Sequence, residues 1–250
     1  MKLYHELAEY YFSIESSHRS FNDEISFIRS FLPANAGPSL LDLGCGTGEH
    51  LGRLTHYGVT CTGIDSSEDM LSFARMRFPT GIDFLSGSMT DIDYYDNFDL
   101  VMSLFGSFNY MIEDRQVDAA LWNIRRAMKH NGTGILEIWN TVPLEKIGGK
   151  DLSRVSVTEY RGKKIERERG FKLLGGNGMN RVEVNYRYRI SDSGGSRSFS
   201  DRHVMRTFMR AEIEGFMREN GLSLREIYSS YEKELLRENS SRMILVFEKV

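Results

Sequence analysis

The run Ser39-Leu40-Leu41-Asp42-Leu43-Gly44-Cys45-Gly46-Thr47-Gly48 limits what this chain can fold into more than any other segment. A short apolar stretch ends in a loop with glycine at every second position. Glycine has no Cβ, so such a loop can turn sharply and let a ligand approach its backbone. The pattern reads as a buried strand, a tight turn and then a helix from about Glu49. Val59-Thr60-Cys61-Thr62-Gly63-Ile64-Asp65 reads as a second strand. Ser66 and Asp69 resemble a capping box, and Met70, Phe73, Ala74 and Arg77 continue that helix. Further strands are expected at 81–87, 98–105 and 133–140. A helix carrying Val117, Ala120, Leu121, Ile124 and Met128 lies between the last two and ends at Asn131-Gly132. Strand and helix alternating at this spacing imply βαβ units and a parallel sheet.

The pattern changes after residue 140. Val182, Val184, Tyr186, Tyr188 and Ile190 alternate with polar residues at a period of two, and Gly175-Gly176-Asn177-Gly178 and Asp192-Ser193-Gly194-Gly195 read as turns. Ile213, Phe216 and Met217 return to helix, capped by Gly221, and strands near 222–232 and 242–249 complete the sheet. Upstream, Phe21, Ile25, Ile28 and Leu32 mark a helix that Pro33 closes. The fold expected is therefore a single α/β domain over 1–250. Its sheet is doubly wound, mostly parallel and seven-stranded, with an inserted antiparallel β layer at 148–208. No apolar run approaches the ~18 residues of a membrane span, and the N-terminus lacks an apolar signal core, so a cytoplasmic location is expected. Two cysteines and six scattered histidines provide neither a disulfide framework nor metal-ligand spacing, and no metal is expected.

Three kinds of nucleotide-binding loop compete for the glycine segment. A P-loop ends in Gly-Lys-Ser/Thr, which is missing here. A dinucleotide fingerprint needs glycine or alanine where Glu49 stands, and a carboxylate there would face a pyrophosphate. S-adenosylmethionine (SAM) carries a sulfonium and an amino-acid tail but no phosphate, so an acidic flank suits it. Asp65, at the end of the second strand, can accept hydrogen bonds from both ribose hydroxyls.

With these residues the chain resembles the class I SAM-dependent methyltransferases, a Rossmann-like family, over residues 40 to 140. The resemblance implies that Gly44, Gly46 and Gly48 pass around the methionine tail and that Asp65 holds the ribose, with Asp42, Cys45, Ser66 and Met70 also in the cofactor site. Ser88 and Met89 stand where the family usually has Asp-Met against the adenine, and Ser103 completes the cofactor set. Downstream, Met102-Ser103-Leu104-Phe105, Arg197 to His203 and Thr207-Phe208 are similar to the deoxyaminosugar N-methyltransferases, as is His50 after the loop. That likeness implies an inserted layer acting as a lid over the active site. It also implies Tyr10 over the cofactor and Arg242 near a substrate phosphate. Glu137-Ile138-Trp139-Asn140 departs from the family's Glu-Pro-Trp-Trp, which bears on the sugar's identity.

The acceptor side is read from Phe105, Glu137, Trp139 and Arg242, with Tyr10, Tyr110 and His203 as candidates for proton handling alongside Glu137. A protonated amine cannot attack a methyl group, so burial and a nearby proton acceptor would both help. The Asp/Asn-Pro-Pro-aromatic motif of amide and base methylation is absent after the fourth strand. The expected partners are a small acceptor, anionic in the amino-sugar case, and a second copy of the chain in a homodimer; nucleic acid and membrane are not expected. Two other readings stand beside this one. Residues 151–210 hold 14 Lys/Arg against 7 Asp/Glu, a docking surface for RNA or protein in one reading and a solvated ribbon in the other. A non-catalytic SAM-binding protein would keep the loop and Asp65 alone.

Overall fold

The computed structural model describes residues 2–5, 7–16, 19–34, 37–147, 152–174 and 180–250. Parallel strands β1 (Ser39–Leu43), β2 (Thr60–Asp65), β3 (Ile82–Ser86), β4 (Phe98–Ser103) and β5 (Met128–Trp139) form most of one sheet. Strands β10 (Leu222–Tyr228) and β11 (Arg242–Lys249) complete it, in the order β10-β11-β5-β4-β1-β2-β3, with β11 antiparallel to both neighbours.

Side chains alternate between the two faces of a strand, and the core divides accordingly. Leu41, Val101, Leu245 and Phe247 pack on one face against α5 (Asp114–Ala127) and α7 (Arg210–Glu219). Leu40, Leu100, Met102 and Val246 pack on the other against α2 (Phe21–Arg29), α3 (Glu49–Leu54) and α4 (Glu68–Arg77). Each such buried side chain contributes about 1.5–3 kcal/mol relative to exposure.

The inserted layer is a four-stranded antiparallel meander, β6 (Leu152–Tyr160), β7 (Lys163–Leu174), β8 (Arg181–Asp192) and β9 (Gly195–Arg206). The period-two residues Val182 to Ile190 are buried, and the Ser193-Gly194 turn joins β8 to β9 as expected. Their apolar face covers Leu3, Leu7, Tyr10 and Ile14, the last three around or within α1 (Ala8–Ser16). The expected turn at 175–178 and the insertion's first residues, 148–151, lie outside the described residues. The layer leaves the main body through a narrow neck before the short helix α6 (Thr141–Ile147). There Thr141 N–H donates to the Phe208 carbonyl (3.1 Å), Phe208 N–H donates to the Trp139 carbonyl (3.0 Å) and the Thr141 and Thr207 hydroxyls bond at 2.9 Å.

Several boundaries differ from expectation. The cap of α4 is Ser67 and not Ser66: its Oγ accepts from Met70 N–H at 3.3 Å, and Asp65 holds the Ser67 amide at 2.9 Å. Helix α5 stops at Ala127, because Met128 turns extended and pairs with Phe98; Asn131, with φ of 64°, is a kink within β5. Helix α2 ends at Arg29, short of Pro33, and β10 ends at Tyr228 rather than 232. Among the described residues no helix is long and apolar enough to cross a membrane.

Candidate active site

The glycine loop leaves β1 at the carboxyl edge of the parallel strands, where open α/β sheets bind ligands. Gly44 and Cys45 donate their amides to the Ile64 carbonyl on β2 at 2.7 and 3.1 Å, which turns the loop across the sheet end. Gly44 and Gly46 have φ of +83° and +55°. A Cβ on Gly44 would lie 2.5 Å from the Ser107 side chain, so this position requires glycine for space as well as for conformation. Gly48 differs: its missing Cβ makes room for Phe84 at 2.6 Å, and it starts α3 rather than facing a ligand.

A cavity of about 360 Å³ opens beside this loop. Gly44, Gly46, Asp65, Ser66, Met70, Ser88 and Met89 line it, as the sequence leads one to expect. The Asp65 carboxylate accepts from Gly46 N–H at 2.8 Å and Ser67 N–H at 2.9 Å, which fixes its orientation. Burial raises its pKa, against the pull of the Ser67 and Gly46 amides. The Ser88 hydroxyl is engaged by Thr90 at 2.8 Å. Asp42, Cys45 and Gly46 line an adjoining recess with Arg19, Glu49 and His50. Burial pushes the Asp42 carboxyl up to about 8, with Asp65 adding and Arg19 opposing. Burial likewise keeps the Cys45 thiol protonated, which argues against a nucleophile there.

Tyr110 and His203, unrelated in sequence, are brought together. The Tyr110 hydroxyl bonds Nδ1 of His203, Nε2 of His203 lies 3.0 Å from Oδ2 of Asp201, and the Tyr4 hydroxyl bonds that of Tyr110 at 3.0 Å. Tyr4 and Tyr110 line the cavity, together with Tyr11, Phe105 and Ser107. Burial lowers the pKa of His203, with Asp201 opposing, and raises that of Tyr110.

Other expected site residues fall elsewhere. Tyr10 does not reach the cavity: its ring is buried beneath the insertion, and its hydroxyl accepts from Lys163 Nζ at 2.8 Å. Its neighbour Tyr11 faces the cavity instead, because adjacent helical residues point about 100° apart. Ser103 is fully buried at the end of β4, and its hydroxyl has no partner among the described residues. Glu137, Trp139 and Arg242 line neither space. Glu137 pairs with Arg242 (3.2 Å), and Trp139 packs on Phe171 with ring centroids 6.0 Å apart. Phe105 lies between the two spaces and is capped by the Arg19 guanidinium, 3.2 Å from its ring centroid.

Sequence reasoning missed Arg19, Tyr4, Tyr11 and Ser107. Arg19 is held by Glu24 (2.8 Å), which also pairs with His50 (2.9 Å). The basic insertion carries its own counter-charges: Lys164 pairs with Glu166 (2.7 Å), Arg187 with Glu168 (3.4 Å) and Arg202 with Glu183. That is the pattern of a charge-striped ribbon. Among the described residues no three His, Cys, Asp or Glu side chains gather as a metal site would require.

The chain matches a methyltransferase domain model over residues 40–132. It is 29% identical to the dTDP-3-amino-3,4,6-trideoxy-alpha-D-glucopyranose N,N-dimethyltransferase of Streptomyces venezuelae, over 80% of this chain and 81% of the relative. It is 28% identical to the dTDP-3-amino-3,6-dideoxy-alpha-D-glucopyranose N,N-dimethyltransferase of Streptomyces fradiae, over 88% and 84%. Its fold matches that of SAM-bound CalS10, an amino pentose methyltransferase from Micromonospora echinaspora involved in calicheamicin biosynthesis. The TM-score is 0.78 and the identity 24%, over 97% of each chain. A glycine cradle that excludes side chains, a fixed carboxylate one strand away, the matched domain and these relatives lead to one conclusion: the chain is a class I SAM-dependent methyltransferase.

Proposed function

We propose that this methyltransferase methylates the amino group of a small acceptor, an amino sugar linked to a nucleoside diphosphate. Two relatives named for such acceptors, aligned over most of both chains, support the reading. The observation that carries it is the hydrogen-bonded set Tyr4, Tyr110 and His203, of which the two tyrosines line the cavity beside the glycine loop. When bound, SAM supplies a methyl group already activated by its sulfonium, with a neutral thioether as leaving group. Gly44 and Gly46 would pass around its tail, Arg19 would face the tail carboxylate, Asp65 would take the ribose hydroxyls, and Ser88 and Met89 would flank the adenine.

The chain's own task is to deliver a neutral amine in line. Tyr110 takes a proton from the incoming ammonium as its own proton passes to Nδ1 of His203, which later releases it to solvent. The freed nitrogen lone pair then forms the N–C bond. His203 suits this role, since burial keeps its imidazole neutral below its ordinary pKa of 6.5. Burial also favours the neutral amine, and we assign the antiparallel layer the role of lid. A cytoplasmic homodimer completes the proposal.

The test is incubation with SAM and three acceptors: a dTDP-linked 3-amino-3,6-dideoxyglucose, the same sugar without the nucleotide, and glycine. Mass spectrometry should find methylated nucleotide sugar alone, and Tyr110→Phe should lower its kcat by about 10²-fold with SAM affinity retained. Methylation of glycine alone would overturn the sugar assignment, and full activity in Tyr110→Phe would remove the tyrosine's role.

A further inference from the structure

His203 is 2% exposed and has two ring nitrogens with different neighbours. Nδ1 meets the Tyr110 hydroxyl, and Nε2 meets the Asp201 carboxylate. The imidazole can accept a proton from Tyr110 only if Nδ1 carries the lone pair, which requires the hydrogen on Nε2. An ionised carboxylate has no hydrogen to donate, so it selects that tautomer. Asp201 is itself held: Oδ2 accepts from Leu3 N–H at 2.9 Å, and Oδ1 accepts from Arg202 N–H at 3.0 Å. Burial alone would raise its pKa, but these amides and His203 outweigh burial and keep the carboxyl below its ordinary value.

We propose that Asp201 is a positioning residue that fixes His203 in the Nε2–H tautomer and so gives Tyr110 a proton acceptor. The inference rests on the proton-handling reading above. It extends that reading to a carboxylate that touches neither substrate nor cofactor, and to the N-terminal turn that orients it. The turn contributes twice. Leu3 fixes Asp201 through its backbone, and Tyr4 places its hydroxyl against Tyr110. The Tyr4 carbonyl accepts from the Ser67 hydroxyl at 2.5 Å, and His5 bonds Asp69 at 2.8 Å, so the turn is tied to the start of α4 as well. The insertion, the turn after β4 and the N-terminal segment therefore each supply part of one hydrogen-bonded chain. Among the described residues the titratable groups facing His203 are Asp201 on its own strand, Tyr110 from the turn after β4, Tyr4 from the N-terminal turn and Tyr186 from β8, with ring centroids 5.1 Å apart for the last pair.

Asp201→Asn tests the inference because asparagine keeps the size but can donate. Oδ2 faces both Leu3 N–H and Nε2, so an NH2 in its place gives up the Leu3 amide and donates to Nε2 while the carbonyl keeps the Arg202 amide, which moves the imidazole hydrogen to Nδ1. Long-range ¹⁵N NMR of the ring reports the tautomer, and SAM titration calorimetry reports an intact fold. The wild type should show Nε2–H, and the variant Nδ1–H with SAM affinity unchanged. With dTDP-3-amino-3,6-dideoxyglucose, the variant's kcat should fall by about 10²-fold or more and recover as pH rises through the amine's own ionisation. A wild-type spectrum with Nδ1–H overturns the inference, and this measurement holds even if the variant does not fold. So does an unchanged kcat and pH profile in Asp201→Asn alongside a large loss in His203→Gln, which leaves the proton-handling reading standing. Full activity in His203→Gln removes both.

Discussion

Glu137 and Arg242 form an ion pair across the seam between β5 and β11, Oε1 to Nη1 at 3.2 Å. The other oxygen of Glu137 accepts from the Tyr231 hydroxyl at 2.6 Å and the Phe105 amide at 3.1 Å. The sequence suggests two acceptor contacts, whereas the fold makes them partners of each other. Glu137 thereby anchors the backbone of the loop that carries Phe105 to the cavity wall. Glu137→Ala would leave Arg242 and Tyr231 without their buried acceptor. It should lower stability by about 3 kcal/mol, measured by urea unfolding. A loss of under about 0.5 kcal/mol, typical of a surface change, would show that the carboxylate is not structural.

Asp42 gives the apo protein an unusual pH dependence. Its folded pKa of about 8 lies above the ordinary 3.8, so the native state binds this proton more tightly than the unfolded chain. The stability contributed is complete at acid pH and is lost as pH rises through the interval between the two values. Asp42→Asn keeps the shape and removes the titration. Relative to the variant, the wild type should lose a few kcal/mol between about pH 4 and pH 8 in thermal melts without ligand. A pH-independent difference between the two would refute the assignment.

Gly44→Ala meets two separate obstacles, a φ of +83° and the Ser107 side chain 2.5 Å from the new Cβ. The single variant should lose SAM binding in calorimetry and melt several degrees lower. Adding Ser107→Gly removes the clash but leaves the backbone strain, about 1–2 kcal/mol for a left-handed residue. Partial recovery of binding in the double variant is therefore expected, and no recovery would mean that the conformation alone excludes alanine.

For Asp65 the expected cost is in affinity. Two hydrogen bonds to a charged acceptor are worth about 1.5–3 kcal/mol each, so Asp65→Ala should weaken SAM at least 10²-fold. Equal affinity in variant and wild type would displace the ribose from this carboxylate.

The cavity wall beside the glycine loop was legible because its signals are local. The Gly44–Gly48 loop, Asp65 and Met89 each lie at or just past the end of a strand marked by its apolar run, and a parallel sheet brings strand ends together. Tyr110 and His203 were legible as residue types, but no short-range pattern joins positions 93 residues apart. Tyr4, Tyr11 and Arg19 left no signal. Their placement depends on how the N-terminal segment docks under the insertion, as through the bond from Leu3 to Asp201, 198 residues away. The confusion of Tyr10 with Tyr11 has the same origin, since only the docking decides which face of α1 turns inward.

The neck at Thr141 and Phe208 has an evolutionary corollary. Where a long excursion departs and returns side by side, the pairing of the sheet strands on either side does not depend on its length. A lineage could lengthen or shorten the antiparallel layer while the seven-stranded sheet and its glycine loop stayed the same. Such a change would have to carry the N-terminal turn with it, since Leu3 meets the insertion at Asp201.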